Sequence, residues 1–239
     1  MNLLQILVAL LTAAFGSLLQ GVVGVGLNMF ASPILMMDQP RFVPGPILAS
    51  AVLLTILMVL RDRTGIDLRG IGWMVTGNVP GTILASFLLP VIPHKTIAYI
   101  LAGLVLAGVA LSLSGLHFPP KRWILFLAGF FCGLGSVLAS IGGPPVALVN
   151  QDMEPRKLRA TLSGFFLISG CLSLLGLIPA GRLGTVELNL SLWLFPSVIL
   201  GFLISAYFIG KMSVSTSRTL LLSLSAISAL VLIGQTLLS

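Results

Sequence analysis

Residues 124–150 form one uncharged apolar run that contains the phrase Ser140-Ile141-Gly142-Gly143-Pro144-Pro145. No straight helix passes through Gly-Gly-Pro-Pro. Both prolines lack an amide donor, and the second forces the first out of the helical region. A second long apolar stretch, 2–37, is interrupted by Gly21-Val22-Val23-Gly24-Val25-Gly26-Leu27-Asn28. Each break frees backbone N–H and C=O groups inside an apolar segment. Such groups persist only where protein, water or a ligand satisfies them.

The medium around these segments follows from composition. Of the 239 residues, 57% are hydrophobic and 8% charged, against roughly 25% charged in an average soluble domain. That polarity cannot wet the surface of a soluble fold, so the chain reads as an integral membrane protein. A cytosolic enzyme, a secreted disulfide scaffold and a disordered chain are excluded. The net charge of +7 then reflects the Lys/Arg bias of cytoplasmic loops rather than nucleic-acid binding. The N-terminal stretch lacks a basic n-region and stays apolar beyond Gly16, so it reads as part of the first membrane segment. Cys132 and Cys171 both lie in apolar runs and are expected as buried free thiols.

Charges and Pro/Gly clusters divide the chain into eight apolar segments, at about 2–37, 43–60, 70–92, 96–114, 124–150, 160–179, 188–210 and 219–238. Segments one and five carry the breaks. Other features recur about half a chain apart: Pro40-Arg41 with Pro155-Arg156, and Gly81…Ala85 with Gly201…Ser205. The expected fold is an all-α polytopic membrane protein of two four-segment repeats, 1–118 and 119–239, in one transmembrane domain. Simple crossing by every segment gives no charge bias. If segments one and five dip in and return, every Lys and Arg except Arg41, Lys95 and Arg182 falls on one side, as the positive-inside rule requires. The repeats are then inverted, the broken segments re-entrant, and both termini outside.

No enzyme constellation is present. The six acidic residues (Asp38, Asp62, Asp67, Asp152, Glu154 and Glu187) fall in the loops of this scheme, as do His94 and His117. No metal, nucleotide or nucleophile motif is found, and no cofactor is expected. The candidates are therefore the breaks: Gly24, Gly26 and Asn28 in the first, and Ser140, Gly142, Gly143 and Pro144 in the second. Asn150 and Asn78 are the polar residues nearby. Free N–H groups at a half-helix start can hold an anion without a buried cation, and glycine lets an oxyanion approach the backbone. The same glycines can also pack helices, and the same Asn and Ser side chains can tie them together. Arg156-Lys157-Leu158-Arg159 reads as a stop signal facing anionic lipid.

The Gly-rich breaks, Ser140-Ile141-Gly142-Gly143-Pro144-Pro145-Val146, the Pro155-Arg156 step and the Pro80-Gly81…Ala85 helix together resemble the sulfite exporter TauE/SafE family. The likeness covers essentially the whole chain. The family's denser first glycine run, followed by Pro-x-Leu, becomes Gly24-Val25-Gly26-Leu27-Asn28 and Pro33-Ile34-Leu35 here. The resemblance implies a multi-pass inner-membrane permease exporting sulfite or an organosulfonate. Its partners would be a small anionic substrate and the lipid bilayer, with no nucleic acid; a homo-oligomer stays open. An anion channel of the same fold and a non-transporting membrane assembly subunit are the alternatives.

Overall fold

The computed structural model describes residues 2–209, 211 and 214–238. Among these described residues ten α-helices follow one another: α1 (Leu3–Val23), α2 (Leu27–Asp38), α3 (Gly45–Arg61), α4 (Leu68–Leu88), α5 (His94–Leu113), α6 (Arg122–Ala139), α7 (Gly143–Val149), α8 (Pro155–Leu177), α9 (Thr185–Phe208) and α10 (Val214–Leu238). No strand occurs among the described residues. Seven helices are long and apolar enough to cross a membrane: α1, α4 with its 3₁₀ extension to Val91, α5, α6, α8, α9 and α10. The remaining segment of the eight-segment expectation is α3. With 17 residues, it is roughly 26 Å long at 1.5 Å per residue, because the Pro44-Gly45-Pro46 start delays its helix.

The bundle differs from a soluble domain in carrying an apolar outer face and a number of buried hydroxyls and amides. Phe87, Trp193 and Leu203 face outward, while Ser17, Ser32, Ser50, Ser163, Ser173 and Asn78 are buried. Where lipid replaces water outside, helices associate through close packing and interhelical hydrogen bonds instead of apolar burial. Glycine makes the closest approach. α4 lies along α6, and a β-carbon at Gly77, Gly81, Gly129 or Gly133 would land on the carbonyl oxygen of Phe126, Phe130, Met74 or Asn78. α1 lies along α9, and a β-carbon at Gly201 would meet the carbonyl of Ala14. Further contacts join α3 to α8 and α9, α5 to α10, α4 to α8 and α2 to α10.

Side-chain bonds sort the helix ends. Gln5 Nε2 donates to the Asp38 carbonyl at 3.3 Å, so the start of α1 and the end of α2 meet at one end of the bundle. Arg41, Lys95 and Gln235 line a shallow basin at that end, and Gly45 rests near the Arg182 carbonyl. At the opposite end Arg156 donates to Thr64 Oγ1 at 2.9 Å. There Arg218 donates to the Ser112 carbonyl at 2.9 Å, and Gln151 donates to the Leu116 carbonyl at 2.8 Å.

Four side chains depart from the sequence reading. Cys171 is exposed on α8, while Cys132 is buried, and both are free. Asp62, expected in a loop, closes α3 and is 7% exposed. Glu187 belongs to the first turn of α9, where its Oε2 accepts from the Gly184 amide at 2.9 Å. Asp38 ends α2, and its partial shelter from water pushes its carboxyl above the ordinary carboxylate value.

Candidate functional site

The first break is built by two glycines and one glutamine. Gly24 closes α1 at φ 97°, and Gly26 precedes α2 at φ 149°. Both values lie in territory that side-chain-bearing residues avoid. Gln20, buried on α1, reaches across the gap: its Oε1 accepts from the Leu27 amide at 2.9 Å. One of the orphan donors at the start of α2 is thereby satisfied. The amides of Asn28 and Met29 meet no acceptor among the described residues.

The second break turns at Ser140 rather than at its glycines. Ser140 ends α6 in the left-handed region, φ 61°, as the non-glycine residue there among those described. Its amide donates to the Ser136 carbonyl, and that of Ile141 to Gly135, the crossed pattern of a left-handed helix end. Its hydroxyl donates to the Pro44 carbonyl at 2.9 Å, which fixes the break to the start of α3. The Gly-Gly-Pro-Pro phrase does not stay irregular, because Gly143-Pro144-Pro145 opens α7. Proline suits a first turn, where its missing N–H is not needed. The amides left over are those of Gly142 and Gly143, which meet no acceptor among the described residues.

The two breaks face one cavity of about 50 Å³. Gly26, Asn28, Ser140, Gly142 and Gly143 all line it, together with Gln20, Thr55, Ser136, Ser169, Val25, Met29 and Phe166. No charged side chain lines it. Asn28 Oδ1 is buried without a partner; turning the amide over would present its N–H₂ instead. Asn78 stands one residue behind the wall, donating to Ser169 Oγ at 2.9 Å. Three further sequence candidates are not brought to this cavity. Gly24 packs against Arg159 and Leu162. Pro144 borders a second cavity. Asn150 donates to the Val146 carbonyl at 2.8 Å, at the far end of α7.

Sequence reasoning missed Thr55, Ser136 and Ser169. Those three sit on α3, α6 and α8, where a hydroxyl in an apolar helix was the one available signal.

A family model described as sulfite exporter TauE/SafE matches residues 9–232. The chain belongs to the TauE/SafE family. Neither a curated protein nor a solved structure matches it significantly. The match takes in both breaks and every helix that lines the cavity. This TauE/SafE protein is a multi-pass membrane protein of a transporter family.

Proposed function

We propose that this TauE/SafE protein is a secondary transporter that exports a sulfur oxyanion of sulfite size through the central cavity. The observation that carries the reading is the convergence of unpaired backbone amides from two separate breaks on one small space lined by uncharged side chains. Backbone donors hold an anion without a buried cation and without strong electrostatic trapping, so the ion can leave again. A full cationic clamp would bind more tightly and release more slowly.

Size selects within the substrate class. A water needs at least ~10–15 Å³ of such cavity space, so the central cavity holds roughly three to five heavy atoms. A sulfur with three oxygens fits that count. Taurine, with its two-carbon tail and amine, exceeds it.

The reading includes two inverted repeats with re-entrant breaks. Its support is the exchange of partners between halves, in which α4 lies on α6 as α9 lies on α1. Gly81 in α4 and Gly201 in α9 recur about half a chain apart, and each rests on a backbone carbonyl of the partner helix from the other half, Phe130 and Ala14. Both termini are placed outside in this scheme, with the Arg-rich end of the bundle in the cytoplasm of the cell.

Counterflow of labelled sulfite in proteoliposomes tests the function. Uptake should saturate, unlabelled sulfite should compete, and taurine should compete at least tenfold more weakly. Flux that rises linearly with sulfite would mark a channel. No sulfite-driven flux would overturn the reading altogether.

A further inference from the structure

A second cavity, about 160 Å³, lies between the central one and the Arg-rich end. Val25 and Met29 line both cavities, so two apolar side chains form the partition. The charged residues lining the second cavity are Arg159 and Arg218, and no carboxylate lines it.

The charge at Arg159 is only partly compensated. Its side chain is 11% exposed, and its Nε lies 3.7 Å from Asp62 Oδ2, too far for a hydrogen bond. That Nε has no other acceptor. The same carboxylate oxygen stands 3.3 Å from Arg61, so two guanidiniums share one negative charge. Arg61 is otherwise well provided for. It donates to the Gly21 carbonyl at 2.7 Å and to Ser205 Oγ at 3.0 Å, and it lies 4.8 Å from the centre of the Phe202 ring. Arg61, Arg159 and Asp62 together therefore keep one net positive charge, and Arg159 is the member that lines the cavity. Arg218 adds another: it is anchored by the carbonyl and hydroxyl of Ser112, neutral acceptors that leave its charge unbalanced. A sheltered guanidinium without a counter-charge is unfavourable, and an anion in the cavity would supply what the protein withholds.

We propose that the second cavity is an anion-binding antechamber. Arg159 and Arg218 hold an oxyanion there before it passes Val25 and Met29 into the central cavity, whose reading as the transport site this proposal assumes. The basic step after α7 then has two functions. Arg156 and Lys157 are exposed and keep the lipid-facing role expected from sequence, while Arg159 turns inward. Guanidiniums at the mouth raise the local anion concentration, and the uncharged centre lets the ion move on.

Equilibrium dialysis of the purified full-length protein against ³⁵S-sulfite tests this by stoichiometry. The native protein should bind two ions per chain, Arg159→Gln one, and Arg159→Lys two. If Arg159→Gln does not fold, Arg218→Gln is read in the same way and should also bind one. A single ion on the native chain would overturn the antechamber and leave the central site standing. Two ions on the Gln variant would overturn it as well. No ion at all would remove the central site and the antechamber together.

Discussion

Gly77→Ala in α4 is expected to leave little folded protein. Its new methyl group would fall on the Phe126 carbonyl of α6. A backbone oxygen inside a helix cannot swing aside, so the helices must separate along the whole contact. Overpacking of this kind costs about 3 kcal/mol or more, a large share of a typical stability. The control is on the same helix: Gly72 has nothing within 4 Å of a β-carbon. Gly72→Ala should express and melt like the native protein, or slightly above it, since alanine is the better helix former. Size-exclusion profiles and thermal melts in detergent separate the two. Equal behaviour of both variants would mean that the α4–α6 contact is looser than the structure has it.

Gly143→Val should abolish sulfite binding in protein that remains monodisperse. The route is indirect. The added β-carbon would run into Val25, and Val25 lines the central cavity. The clash joins one break to the other, and relieving it pushes Val25 toward the space the anion needs. Adding Val25→Ala to the same chain should restore binding to within tenfold, because the larger side chain then has room and the Gly143 amide is unchanged. Thermal-shift titration with sulfite reads both variants. Native affinity in folded Gly143→Val protein would take the second break out of the site.

The parts of the fold that were legible from sequence are those with local stereochemical causes. Gly24 and Gly26 adopt backbone angles reserved for glycine, and two consecutive prolines cannot lie within a continuing helix. Both breaks were therefore visible as residues. The details of the second were less visible. Its left-handed residue is Ser140, a position where glycine would be the usual choice, and the prolines begin a helix instead of prolonging an irregular stretch.

What sequence could not give is rotation about a helix axis. Arg156, Lys157 and Arg159 form one basic run, yet successive residues turn by 100°, so two face outward and the third packs against Asp62. Cys171 reads as apolar core and faces out for the same reason. Thr55, Ser136 and Ser169 come from three helices, and only their packing reveals that they share a wall. Among the glycines, those at Gly77 and Gly129 look no different in sequence from those at Gly72 and Gly103, although only the first pair touches backbone.

In the proposed site an oxyanion of sulfite size sits between the two breaks on backbone amides. Selenite replaces the sulfur of sulfite with an anomalous scatterer, so crystals grown with selenite locate the ion directly. A selenium peak is expected in the central cavity, with the selenite oxygens within hydrogen-bond distance, about 2.7–3.2 Å, of the amides at the start of α2 and at Gly142 or Gly143. A fully occupied selenite elsewhere in the chain, with the central cavity holding only water, would contradict it.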